Sequence, residues 1–269
     1  MKLRLLLLLA LLPAMLFGQT SQQKAWTVLD SALKEKSPDK RARAVHALSL
    51  LNKDAKAASL AEAALQDANP AVREAAAHAL GKLRARKALP ALRAALDDKE
   101  TNVVLAAADA LTEMNDAAAY QVYYAILTGE RKTRHGVLVE QSKVLKDRKR
   151  MAQLGFEQGL GFVPFAGFGY SAVRAVMQDD VSPVRAEAAE ALADDPDAGS
   201  TAALVQAAGD KSWMVRAAAL AAIAKRGDPA LLPQVEPALS DSKDTVQYVA
   251  AAAIIRLSAM KIRTKAAAR

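Results

Sequence analysis

Residues 67–80 read Asp67-Ala-Asn-Pro-Ala-Val-Arg73-Glu-Ala-Ala-Ala-His-Ala-Leu80. An acidic residue opens the stretch, Pro70 sits in a turn, and an arginine follows the acid by six positions. A large apolar residue stands seven positions after that arginine. The same frame returns at Asp179…Arg185…Leu192 and Asp210…Arg216…Ile223, with looser copies at Glu35…Arg41…Leu48, Asp98…Val104…Leu111 and Asp241…Gln247…Ile254. Successive acidic slots are 32, 31, 81, 31 and 31 residues apart. A fixed period of this size is the mark of stacked helical hairpins. The gap of 81 leaves room for one further repeat enlarged by about 19 residues.

Composition agrees with such a stack. Hydrophobic residues make up 52% of the 269 positions and aromatics only 4%, the difference being mostly alanine and leucine. Alanine is the best helix former and lets helices approach closely. No alternating strand-like run of useful length occurs, and apolar residues recur at three- and four-residue spacing. Each unit is therefore predicted to be two helices. The pairs are 24–36 with 39–51, 54–66 with 71–83, 87–96 with 101–114, 170–178 with 183–193, 198–208 with 212–225, and 231–239 with 245–257. Pro70 and Pro183 suit the first turn of a second helix, and Asp67 is placed to cap one. Gly81, Gly209 and Gly227 are read as helix ends.

The pattern D-x-x-P-x-V-R-x-x-A-A-x-A-L at this period resembles the short HEAT repeats also found in phycobilin lyases. The resemblance implies an all-α fold, a right-handed α-solenoid of about six to seven HEAT-like hairpins with one irregular, expanded repeat. It also implies that acidic and arginine slots pair along the stack. Asp67, Arg73, Asp98, Asp179, Arg185, Asp210 and Arg216 would then form a structural ladder, failing at Val104 and Gln247. Repeats of this kind serve as scaffolds, adaptors and a few lyase subunits, so a lyase-like role is a lesser implication.

The chain divides by composition. Residues 1–18 have Lys2 and Arg4 ahead of the apolar run Leu5–Leu12 and a small residue, Gly18, which reads as a secretory signal and an exported protein. Residues 19–128 and 170–258 carry the repeats, and 259–269 form a basic tail. Between the repeats, residues 129–169 are basic and then rich in glycine and phenylalanine. Eight of the 12 aromatic residues fall between Tyr120 and Tyr170, and seven of the 12 glycines between Gly129 and Gly169. Tyr120, Tyr123 and Tyr124 are expected on one side of a helix over 117–127. A basic helix over 137–154 contains Lys143, Lys146, Arg148, Lys149 and Arg150, and the loop 155–170 contains Phe162, Phe165 and Phe168. Aromatic anchors with a basic flank suit a protein partner of acidic character. The same region could instead dock on an anionic membrane surface.

Chemistry finds little support. There is no cysteine, which excludes disulfides and thiolate sites. No G-x-S-x-G and no phosphate-binding G-x-x-x-x-G-K-[S/T] occurs. His46, His78 and Asp109 occupy matching slots, but helices stacked about 8–10 Å apart do not bring such a row within the ~2 Å of a metal bond. They are expected to form an exposed row. No catalytic, cofactor or metal residue is assigned. Nucleic acid is disfavoured, because the net charge of +8 is concentrated outside the repeats.

Overall fold

The computed structural model describes residues 20–128 and 181–267, with the side chains of Ile126 and of residues 263–267 left aside. Among these residues there are twelve α-helices and no strand. In the first block they are α1 (Ser21–Ala32), α2 (Pro38–Leu48), α3 (Ala55–Ala64), α4 (Pro70–Leu83), α5 (Leu89–Ala95), α6 (Thr101–Glu113) and α7 (Ala118–Leu127). The second block holds α8 (Ser182–Ala191), α9 (Ala198–Ala207), α10 (Trp213–Arg226), α11 (Leu232–Val235) and α12 (Asp244–Ala267). The expectations for 1–18, for 129–169 and for Asp179 lie outside the described residues.

Local chemistry accounts for the boundaries. Thr20 and Gln23 close a reciprocal capping box on α1. Pro38 and Pro70 open α2 and α4, where an absent N–H costs nothing. Asp67 does not cap α4: its Oδ1 accepts the Asn69 N–H at 2.8 Å, and Asn69 caps the helix by accepting the Ala71 N–H at 2.9 Å. Asp98, Asp210 and Asp241 repeat this turn through the N–H groups of Glu100, Ser212 and Lys243. The acid therefore belongs to the turn, and the residue two further on takes the N-cap position, with a side-chain cap bond at Asn69 but none at Glu100 or Ser212.

Two expected helices change form. Residues 231–239 break into a 3-10 turn at Pro229–Leu231, α11, and a second 3-10 turn at Glu236–Ser240, because Pro233 and Pro237 remove the donors a continuous helix would use. The last helix instead runs past Leu257 to Ala267, through good helix formers with no Gly or Pro. Gly227 is a left-handed end, at φ 73°. Gly81 is not an end. It lies inside α4, which stops at left-handed Arg84 (φ 49°), and a Cβ at position 81 would meet Ala110 Cα at 3.0 Å. The glycine is there so that α4 and α6 can approach.

The second helices of the hairpins form the core layer. Val72, Ala75, Ala76, Ala77, Ala79 and Leu80 of α4 are all buried, as are Val249 through Ile255 and Leu257 of α12. α12 is long and apolar enough, by composition, to cross a membrane, but here its apolar length is consumed inside the stack. Stacking runs α2–α4–α6 in one block and α8–α10–α12 in the other. The two blocks then join through their chain ends: α12 packs against α1 and α2. In space the second helices follow the order α8, α10, α12, α2, α4, α6. Chain order and stacking order thus differ, which periodicity alone did not disclose.

Candidate interaction surface and the internal ladder

Three arginines hold neighbouring repeats with one geometry. Arg73 donates from Nε and Nη2 to Asp98 at 2.7 and 2.9 Å, and from Nη1 to the carbonyls of Asp67 and Ala68 at 2.9 and 3.1 Å. One planar fork thereby ties its own turn to the carboxylate of the next. Arg41 does the same with Asp67, at 2.8 Å for both bonds, and Arg216 with Asp241, at 2.7 and 2.8 Å. Arg185 pairs with Asp210. The expected ladder is present for Asp67, Arg73, Asp98, Arg185, Asp210 and Arg216.

Two members of the ladder, Arg41 and Asp241, were read from the sequence as frame positions but not assigned to the ladder. Their signal was available, since Arg41 stands 26 residues before Asp67 as Arg73 stands 25 before Asp98. At Val104 the row stops, and Arg93 instead pairs with Asp116 at 2.5 Å. At Gln247 only half of the fork survives: Nε2 donates to the Asp241 carbonyl at 2.5 Å.

The ladder is partly shielded, the Arg73 and Asp98 side chains being 9% and 13% exposed. The Arg41 bond holds the Asp67 carboxyl below its usual range, and Arg216 does the same to Asp241. Burial pushes Asp98 upward, but its bonds to Arg73 and to the Glu100 N–H outweigh that, so its carboxyl also lies low.

The tyrosines of α7 divide. Ala119 and Val122 are buried and α7 packs on α6, which turns Tyr123 inward. Its hydroxyl donates to Asp109. Burial and that carboxylate push Tyr123 up to about 12, while burial also raises Asp109. Tyr120 and Tyr124 are 65% and 62% exposed, and Leu127 is 87% exposed. The three tyrosines therefore do not share one side. Positions 120, 124 and 127 are four and three residues apart and make one exposed stripe, with 123 turned toward the neighbouring helix. Lys143, Lys146, Arg148, Lys149, Arg150, Phe162, Phe165 and Phe168 lie outside the described residues.

The histidine row also departs from expectation. His46, His78 and Asp109 are half-buried, not exposed. Burial lowers both histidines to about 4, with His78 adding to the effect on His46 and Lys82 to that on His78. The reason is that adjacent second helices stand close enough to shade each other's inner side chains. Among the described residues no group of three or more His, Cys, Asp or Glu side chains is arranged to hold a metal. One turn further along, Lys82 pairs with Glu113 and Lys225 with Asp194, each at 2.5 Å and each 31 residues apart.

Comparisons with known proteins place this geometry. No curated protein matches the sequence. Among solved structures, the complex of CpcE and CpcF of phycocyanin lyase from Nostoc sp. PCC7120 is 20% identical over 93% of this chain and 97% of that one, with a TM-score of 0.34. Human deoxyhypusine hydroxylase in complex with glycerol is 16% identical over 89% and 97%, with a TM-score of 0.34. A designed armadillo repeat protein is 19% identical over 88% and 100%, with a TM-score of 0.27. Likeness at this level carries no functional argument. The profile of HEAT repeats matches residues 57–135 and 171–255, more than half of the chain. With the repeated arginine fork and the all-helical stack, that match makes the chain a member of the HEAT-repeat family.

Proposed function

We propose that the protein is an exported, non-enzymatic scaffold or adaptor that binds a protein partner through the stacked helices and the region that follows α7. The observation that carries this reading is the stripe Tyr120, Tyr124 and Leu127, which is exposed on the last described helix before the basic, aromatic segment 129–169. Large aromatic side chains left in water are the side chains that dominate interface energies when a partner covers them. Tyr123 is not among the anchors, since its hydroxyl is engaged by Asp109. The basic residues 143–150 would raise the rate of encounter with an acidic surface.

The test is affinity capture from an envelope extract, using the full chain, a chain lacking 129–169, and Tyr120→Ala/Tyr124→Ala. The reading expects one specific partner that both altered chains lose while their helical content stays unchanged. Equal recovery by all three would overturn it. Co-sedimentation with vesicles of anionic lipid, abolished by neutralising the basic residues of 131–150, would instead favour the membrane-docking alternative. Export is checked separately by the mass of the mature amino terminus, which should begin after residue 18.

A further inference from the structure

Three of the five steps between stacked second helices are closed by the arginine fork, α2 to α4, α4 to α6 and α10 to α12, and the α8-to-α10 step by the single Arg185–Asp210 pair. The fifth step, from α12 to α2, joins the two ends of the described chain and has no fork. Gln247 occupies the arginine position there, and Glu35 occupies the acidic one. Gln247 reaches only its own turn, and Glu35 is exposed with Lys40, of its own repeat, at 4.0 Å. Two polar contacts cross this seam among the described residues. Lys40 meets Asp244 at 3.3 Å with both side chains about one-third exposed, a pairing that contributes little in water. Arg256 donates from Nη1 to the Leu50 carbonyl at 2.8 Å and from Nη2 to the Lys225 carbonyl at 3.3 Å.

Arg256 has an unusual position. Its Nε is buried without a hydrogen-bond partner. The guanidinium is satisfied only by carbonyls at the ends of two helices, α2 on one side of the seam and α10 on the other. A cation suits helix C-termini, and its Nη1 bond to the end of α2 is the one side-chain hydrogen bond that crosses the seam among the described residues; burial lowers its pKa. No turn crosses the seam, so separating α12 from α1 and α2 leaves both blocks with their internal forks and stripes intact. Apolar burial favours the closed state from both sides, through Ala25, Leu29 and Ala32 of α1 and the buried run Val249 to Ile255 of α12, so what sets this seam apart is its polar clamp and not its packing.

We propose that the seam between α12 and the α1–α2 hairpin is a latch at which the stack opens as two folded blocks, with Arg256 as the side chain that holds it shut. Opening at the step that has no arginine–carboxylate pair in the ladder positions, while both sides stay folded, is the hinge behaviour expected of a packed interface that has two discrete arrangements. The latch stands independently of the partner-binding reading, because it rests only on contacts among α1, α2, α10 and α12.

The absence of native cysteine makes the test direct. Spin labels at Lys99→Cys and Lys211→Cys, exposed positions on opposite sides of the seam, should lie about 30–40 Å apart in the closed stack. In the otherwise unaltered full chain, pulsed electron resonance should return one dominant distance. Arg256→Ala should raise the population of a second, longer distance by about tenfold or more, with the far-ultraviolet helical signal unchanged. Adding Gln247→Arg and Glu35→Asp, which supplies the missing fork, should suppress that population even in the Arg256→Ala background. A single unchanged distance in Arg256→Ala would overturn the proposal. So would loss of the helical signal together with the distance, or failure of the supplied fork to restore closure.

Discussion

Arg256 and Leu50 lie 206 residues apart in the chain, yet the guanidinium Nη1 of one donates to the carbonyl of the other at 2.8 Å. That bond places the last helix against the first hairpin and makes the described solenoid a stack whose middle is built from the two ends of the sequence. The inner rows of both blocks are positioned relative to each other by this junction, so its chemistry bears on every surface that spans them.

The internal forks should dominate the cost of mutation. Arg73→Met leaves Asp98 shielded and without its partner, and should cost about 2–4 kcal/mol in urea unfolding. Lys225→Met breaks a pair whose side chains are 55% and 74% exposed, and should cost less than about 1 kcal/mol. Comparable losses for the two would show that the ladder is not structural.

Gly81→Ala should destabilise, against the rule that alanine improves a helix interior by up to ~1 kcal/mol. The added Cβ meets Ala110 Cα at 3.0 Å and Ala110 Cβ at 3.1 Å, backbone-bound atoms that cannot swing away. A loss of about 1–3 kcal/mol is expected from the forced separation of α4 and α6. The same change at Gly209, whose nearest contact is at 3.6 Å, should be close to neutral in a thermal melt.

Acid should weaken the fold in two windows. His46 and His78 are held near 4 against an ordinary value of 6.5, so the unfolded chain binds more protons than the folded one between those values. Stability from this source is complete above about pH 6.5 and falls as pH drops toward 4. Asp67, Asp98 and Asp241, whose folded pKa values are depressed, contribute stability that is present above about pH 4 and is lost as pH falls through those folded values. Melting curves of His46→Gln/His78→Gln should show a shallower decline than the parent between pH 6.5 and 4. The comparison cancels the carboxylates, and parallel curves would count against the assignment.

Tyr123→Phe removes the donor to a half-buried Asp109 and should cost about 1–3 kcal/mol. Tyr120→Ala, at an exposed position, should leave the melting temperature within about 1 °C of the parent. If capture of a partner is lost only in the second variant, stability and recognition have been separated on one helix.

Much of this was legible in residue spacing. A 31-residue beat with alanine stripes can be satisfied only by hairpins that bury one face against the next, so helix type and hairpin pairing follow from neighbours in the chain, while the pairing of acidic and arginine slots came from the resemblance to HEAT repeats. Boundaries were less legible where proline broke the helix at 231–239, and where Gly81 stood inside a helix for packing instead of at its end. The tyrosines were misplaced for a related reason: which of Tyr120, Tyr123 and Tyr124 faces α6 depends on the helix rotation that Ala119 and Val122 impose.

Sequence by itself determined the repeated unit, because capping, proline placement and apolar period act over distances of one hairpin. Tertiary structure alone decided the geometry of the fork, in which Arg41, Arg73 and Arg216 grip the acid of the following repeat through Nε and Nη2 and touch their own turn only through carbonyls. It alone brought Lys40 to Asp244 and Arg256 to the Leu50 carbonyl. Those meetings depend on how complete hairpins pack in space, and spacing along the chain carries no information about which two ends of a stack will touch.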